Sequence, residues 1–537
     1  MINRRTILKD IIAGTALGTT SLTGPAWAAS LKTASEPIAE TQSGKIRGTV
    51  EGGVYAFKGV PYGADTATTR YRAPKPPHPW TGVRDALVDG PMAPQANKAR
   101  SYKDMSEDCL VLNLWTPELK DNKKRPVMLW LHGGGTTGGS SRGVFGANLA
   151  RKGDVVVIAI NHRLGAFGYL YLAELAEELP DSGNVGMLDI VRALEWVRDN
   201  IESFGGDPSN VTVFGCSGGG AKLSILMGMP AVKGLFHKAI IESGASDLRT
   251  KSRAEGSEAT AKYLAELKIT PANVRELLGL SMPQLLDGLK SSTVALDDMG
   301  SGRFFSPVVD GKNMPRDSFV PDASPVCSDV PLIVGCGRWE YTSLLGLSDP
   351  KLFDLTWEDV PRRLTEVWKD FRLPHDPQYV VGEYRRLYPS FKPSEVFFLA
   401  VTDSKFWIGA LTQAGRKAAQ RAAPVYHYVV DWTTPVQGGR LRAPHGIEVP
   451  LVFDSVKETP GLTGGGPDAQ HMADQMSSAW IAFAHTGKPD TKGIPHWPAY
   501  ETDTRATMFF DNESKVVKDA DREKRLMWEK LQQAVHA

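Results

Sequence analysis

Residues 211–221 read Val-Thr-Val-Phe-Gly-Cys-Ser-Gly-Gly-Gly-Ala, and they hold the side chain best suited to chemistry in this chain. Gly215-Cys216-Ser217-Gly218-Gly219 is a G-x-S-x-G pattern. Small residues around the serine let a strand turn sharply into a helix, which leaves the hydroxyl exposed at the strand end. From there Ser217 Oγ can attack a carbonyl carbon, and the next amide can face the oxyanion that forms. A glycine-rich turn holding a serine also occurs as plain structure, so the motif needs partners.

A serine hydroxyl is a weak nucleophile at neutral pH. It needs a base, usually histidine, and the histidine needs an acid to fix its tautomer and stabilise the imidazolium. On a sheet-and-helix scaffold with this motif the chain order is serine, acid, histidine. After Ser217 the candidate acid is Glu340, just past the apolar run Pro331–Val334, although a loop glutamate can also simply pair with a neighbour such as Arg338. The candidate base is His445 in Ala443-Pro444-His445-Gly446; His237, His427 and His496 lie in or beside regular elements and read as structural. Leu131-His132-Gly133-Gly134-Gly135 follows another apolar run. Its glycines allow two successive amides to face one point, so Gly134, Gly135 and Gly218 form a candidate oxyanion hole. The Lys-Ser/Thr pair of a phosphate loop and the G-x-G-x-x-G spacing are missing, and the Cys/His spacing fits no zinc pattern. No metal or cofactor is implied.

These residues need a scaffold that brings distant strand ends together. Strand-like runs at Cys109–Trp115, Pro126–Leu131, Val155–Ile160, Val211–Phe214, Lys238–Glu242 and Pro331–Val334 alternate with helical patterns. Several are continuously apolar, as expected of central strands covered on both faces. Leu188, Val191, Leu194, Val197 and Ile201 recur every three or four residues, which predicts an amphipathic crossover helix over Asn184–Phe204, stopped by Gly205-Gly206-Asp207-Pro208. The expected fold class is α/β, with a large, mostly parallel sheet covered by helices. Residues 251–300 and 350–420 break the rhythm and read as helical cap insertions. Ala469–Thr486 and Arg525–Ala537 read as closing helices.

The 537 residues are 42% hydrophobic and 23% charged, with a formal net charge of +1, so no basic footprint for nucleic acid is visible. The first 28 residues read as an export signal: Arg4-Arg5 in a twin-arginine pattern, a weakly apolar stretch from Ile11 to Leu22, then Ala26-Trp27-Ala28. The apolar stretch is short and broken by Gly14 and Gly18, which argues against a membrane anchor. The expected organisation is a signal peptide over 1–28 and one catalytic domain over 29–537, exported to the periplasm or beyond. Export permits disulfides, and Cys109, Cys216, Cys327 and Cys336 allow three complete pairings that sequence does not choose between.

Several segments together resemble the type B carboxylesterases, the lipase/cholinesterase group of the α/β-hydrolase fold. They are Phe57-Lys58-Gly59-Val60-Pro61-Tyr62, Arg70-Tyr71-Arg72-Ala73-Pro74, Glu107-Asp108-Cys109-Leu110, His132-Gly133-Gly134-Gly135, Asn161-His162-Arg163-Leu164-Gly165, Gly205-Gly206-Asp207-Pro208 and the serine turn. The resemblance runs from about Gly44 to the C-terminus. It implies a Ser217–Glu340–His445 triad, oxyanion donors at Gly134, Gly135 and Gly218, and ion pairs Arg70–Glu107 and Arg163–Asp189. It also implies a serine near the triad at Ser243 and an acyl-pocket wall at Phe305. Three departures stand out. Cys216 occupies the usual glutamate position before the nucleophile, which removes a charge near the imidazolium. Ala93 stands where the customary partner of Cys109 would be. The loop from Pro91 to Cys109 has no tryptophan to stack on choline.

The expected activity is hydrolysis of small-molecule carboxylic esters through an acyl-enzyme. A more specialised hydrolase of carbamates, amides, lactones or aromatic esters would use the same machinery. A non-catalytic binding protein on the same scaffold is disfavoured because all three triad candidates are present.

Overall fold

The computed structural model describes residues 36–96, 101–119, 121–245, 248–289, 304–371 and 373–536. The proposed leader (1–28) and the end of the first insertion (290–300) lie outside the described residues.

An eleven-stranded sheet forms the centre of the molecule. In chain order its strands are β1 (Thr49–Glu51), β2 (Val54–Pro61), β3 (Val111–Thr116), β4 (Arg125–Leu131), β5 (Val156–Ile160), β6 (Gly206–Cys216), β7 (Lys238–Glu242), β8 (Leu332–Gly337), β9 (Val425–Val430), β10 (Ala506–Phe510) and β11 (Lys515–Lys518). Their spatial order is β11-β10-β9-β8-β7-β6-β4-β5-β3-β2-β1. The run from β5 through β4, β6, β7, β8 and β9 to β10 is parallel. The outer strands pair antiparallel. A separate small sheet joins Ile38–Thr41, Gly44–Arg47 and Val83–Asp85.

Every residue of β4, β5 and β7 is buried, which is why β5 reads as an unbroken apolar run and β4 and β7 carry charged residues only at their ends (Arg125, Lys238 and Glu242). The crossover helix α1 (Val185–Asn200) buries Val191, Leu194 and Val197, and a 3-10 turn over Ile201–Phe204 completes the predicted stretch. Gly205 ends it in the left-handed conformation (φ 73°). Gly206-Asp207-Pro208, expected to lie in the stop, instead opens β6. On leaving β6 the chain enters α2 (Gly218–Leu226). Helix α3 (Pro467–Thr486) packs on β4 and β6.

The segments that break the strand–helix rhythm are largely helical, with helices at Arg253–Glu266, Met282–Gly288, Asp359–Asp370, Pro377–Leu387 and Pro393–Thr402. The helix Ile408–Ala419, at the end of the second segment, lies on β8 and β9. The register aligns Cys216, Glu242 and Gly335 side by side on β6, β7 and β8. The strand leading to Ser217 and the strand leading to Glu340 therefore flank β7.

Candidate active site

Ser217 sits between the end of β6 and the start of α2 with φ 59° and ψ −125°, a strained backbone for a residue with a Cβ. Its N–H donates to the Glu242 carbonyl (2.9 Å), which fixes the turn to β7. Residues on either side are buried while Ser217 is partly exposed. The helix can pass this close to the sheet because the next residues are small. A Cβ built on Gly219 would lie 1.9 Å from the Leu131 carbonyl oxygen.

The loop after β4 runs past Ser217. A Cβ on Gly133 would meet Ser217 Cβ at 3.3 Å and Oγ at 3.9 Å. Gly134 and Gly135 adopt positive φ (92° and 62°), a conformation costly for other residues. Each carbonyl from Gly133 to Thr136 has a partner. Gly133 O meets His132 Nδ1 (2.8 Å), and Gly134 O accepts from Gly138 N–H (3.0 Å). Gly135 O accepts from Lys222 Nζ (2.7 Å), and Thr136 O from Gly165 N–H (2.8 Å). Among the described residues the N–H groups of Gly134, Gly135 and Gly218 donate to no protein acceptor. Gly218 packs directly on the Gly135 peptide, since its Cβ would fall 2.4 Å from Gly135 N. Three free donors thus lie together beside a partly exposed hydroxyl.

Glu340 is fully buried at the start of the short helix Tyr341–Leu344. Its Oε2 is hydrogen-bonded to His445 Nδ1, and its Oε1 accepts from the Gly337 N–H (2.6 Å). Ser343 Oγ accepts from the His445 N–H (3.0 Å), and the imidazole packs 5.3 Å from the Phe406 ring. Arg338, the alternative partner weighed for Glu340, pairs instead with Asp431 (2.7 Å). The Ser217 hydroxyl makes no hydrogen bond among the described residues. Such bonds are often long in free enzymes and tighten with substrate.

Behind Glu340 lies a second carboxyl. Ser243 Oγ is 2.6 Å from Glu340 Oε1 and 2.6 Å from Glu448 Oε1. A hydroxyl has one hydrogen, so two ionised carboxylates cannot both accept from it. One carboxyl must carry a proton and donate to Ser243 Oγ. Burial, and then the charge of Glu340, push the Glu448 carboxyl well above its ordinary range, which assigns it the proton. Glu242, buried and beside Glu448, is pushed up to about 8, and its Oε1 accepts from Trp480 Nε1 (2.8 Å). For His445, burial opposes the charged form, but the Glu340 charge and hydrogen bond outweigh it and hold the imidazole above 6.5.

Cys216 is buried, and burial followed by the nearby charges of Glu448, Glu242 and Glu340 raises its thiol far above the usual value. All four cysteines are free thiols. Phe305 is buried; its carbonyl accepts from Thr136 Oγ1, and its ring meets Tyr263 edge-on at 5.3 Å. The ion pairs implied by the resemblance are present. Arg70 grips both oxygens of Glu107, and the fully buried Arg163–Asp189 pair closes at 2.6 Å. His427 is buried on β9, where burial lowers its imidazole to about 3. Among the described residues no cluster of three His, Cys, Asp or Glu could hold a metal ion, and no helix is long and apolar enough to cross a membrane. Sequence reasoning passed over Glu448, three residues after His445, and Glu242, directly before Ser243. Proximity to those two site residues was the signal.

A parallel sheet whose sharp strand–helix turn carries a serine beside a glycine-rich loop defines an α/β-hydrolase. The chain belongs to the carboxylesterase family, whose sequence model matches residues 35–528. It is 36% identical to the para-nitrobenzyl esterase of Bacillus subtilis over 503 residues, 91% of this chain and 97% of that one. It is 34% identical to the phenmedipham hydrolase of Pseudarthrobacter oxydans, across 90% of this chain and 96% of that one. Among solved structures, a Geobacillus stearothermophilus carboxylesterase superimposes with a TM-score of 0.80 at 34% identity, covering 91% of this chain and 99% of the other. The protein is a serine carboxylic-ester hydrolase.

Proposed function

We propose that Ser217 is the nucleophile, His445 the general base and acid, and Glu340 the group that orients His445. His445 Nε2 takes the hydroxyl proton as Ser217 Oγ attacks the ester carbonyl. The oxyanion rests on the amides of Gly134, Gly135 and Gly218, and loss of one such donor typically costs about 2.7–4 kcal/mol of transition-state stabilisation. Collapse expels the alcohol with the proton from His445, and water then repeats the cycle on the acyl-enzyme. Ser243 holds Glu340 in place, Phe305 lines the acyl side, and Cys216 supports the turn from below.

What supports this reading is a partly exposed serine hydroxyl beside three unengaged amides, together with an imidazole bound to a carboxylate that Ser243, next to the Ser217 turn's partner strand, holds in turn. Substrates are small esters, and the name of the Bacillus relative favours p-nitrobenzyl and related benzyl esters as first choices. Ser217→Ala should abolish turnover of p-nitrophenyl acetate while leaving the circular dichroism and melting transition intact. Undiminished turnover in that variant contradicts the assignment. The twin-arginine pattern further supports export of one catalytic domain to the periplasm, read out by fractionation of the native host with Arg4 and Arg5 changed to lysine.

A further inference from the structure

Lys222 lies on α2 one turn after Gly218, so both residues face the same peptide. Its side chain is fully buried, and its Nζ donates to the Gly135 carbonyl at 2.7 Å. Among the described residues no carboxylate pairs with it, and burial alone lowers its amine to about 7. The stacked rings of His132 and His162 (centroids 4.6 Å apart, 5° between planes) lie close by. Burial, and then the Lys222 charge, keep His162 neutral. An uncompensated ammonium is a costly group to bury, and a methionine of similar length would fill this space more cheaply. What the amine contributes is a hold on one peptide.

That peptide matters because of its neighbours. The carbonyls of Gly133, Gly134 and Thr136 are held from within their own loop or by a backbone N–H, whereas Gly135 is held by a side chain from the helix that starts beside Ser217. We propose that Lys222 is a positioning residue of the oxyanion site, its Nζ–H clamping the Gly135 carbonyl so that the Gly134 and Gly135 amides stay aimed at the developing oxyanion. The inference rests on Ser217 as nucleophile.

The test compares two ketones on the wild type and on Lys222→Met. A trifluoromethyl ketone adds to the serine and forms an oxyanion; the matching methyl ketone measures ground-state binding. If Ser217 is not the nucleophile, the fluorinated ketone will not outbind its partner on the wild type, which is seen before any Lys222 variant is compared. Given that preference, Lys222→Met should lower kcat/KM for p-nitrophenyl acetate and affinity for the trifluoromethyl ketone in parallel, roughly 10- to 100-fold. Methyl-ketone affinity should stay within twofold. Retention of both quantities within twofold, or an equal loss for both ketones, overturns the proposal. Should Lys222→Met lack a cooperative melt, Lys222→Gln, which keeps a polar head but cannot span the distance, carries the same comparison: a selective loss for the fluorinated ketone supports the clamp, and an equal loss or none overturns it.

Discussion

Gly219→Ala tests the geometry of the serine turn most directly. The added methyl would sit 1.9 Å from the Leu131 carbonyl oxygen and 2.7 Å from its carbonyl carbon, both backbone atoms. Contacts of a real Cβ stay beyond about 3 Å, so α2 and the end of β4 must part by about 1 Å. Leu131 pairs with Gly215 in the sheet and leads into the loop that holds the oxyanion donors. The displacement therefore separates Ser217 from its donors instead of moving them together. A misplacement of this size costs about 100-fold in rate, close to 2.7 kcal/mol of barrier. The assay is kcat for p-nitrophenyl acetate, normalised to active sites titrated with a fluorophosphonate. Gly415→Ala is the control. It lies inside the helix Ile408–Ala419 with nothing within 4 Å of the new methyl, so it should stabilise the fold by about 0.5–1 kcal/mol and leave kcat unchanged. A folded Gly219→Ala enzyme with kcat within twofold of wild type would refute the argument that this contact sets the position of the serine.

The remaining predictions concern titration. Because the neutral imidazole is the base and Glu340 holds His445 above 6.5, the acid limb of the kcat/KM profile should have an apparent pKa above 6.5. A limb at or below that value speaks against a charged Glu340 in the free enzyme. Glu340→Gln should cost about 10⁴-fold in kcat by supporting the wrong tautomer, and a loss below tenfold would show that Glu340 does not orient His445. Glu242 is raised to about 8 in the folded state from 4.5, so the folded protein keeps a proton that the unfolded chain has released. Its contribution to stability therefore falls as pH rises from about 4.5 to about 8, by at most about 1.4 kcal/mol per unit. Glu242→Gln should melt increasingly above wild type between pH 5 and pH 8, and a constant offset across that range would contradict the buried proton.

The parts legible in sequence were those with a local signature. The serine turn, the Gly133–Gly135 run and the buried central strands each announce themselves through spacing or unbroken apolar character. Glu340 and His445 followed from chain order, because strand ends in a parallel sheet present their loops to one side. The rest depends on packing between distant segments. Lys222 reads as an ordinary polar residue on a helix, and only the approach of the Gly135 peptide makes its burial meaningful. Glu448 and Glu242 look like surface carboxyls until β7, β9 and α3 close around them. Strand β9, Val-Tyr-His-Tyr-Val-Val, buries a histidine that breaks its apolar character, so composition alone does not mark it as central.

The central sheet does not close on itself, so it ends in two margins whose backbone groups could recruit a foreign strand. One margin, β1, is three residues long and ends in Glu51; the other, β11, has an exposed lysine at each end, Lys515 and Lys518. The brief length of β1 and the exposed lysines of β11 make both poor templates for fibril-like stacking. Neither margin therefore offers a long, uncharged edge on which a second chain could add a strand.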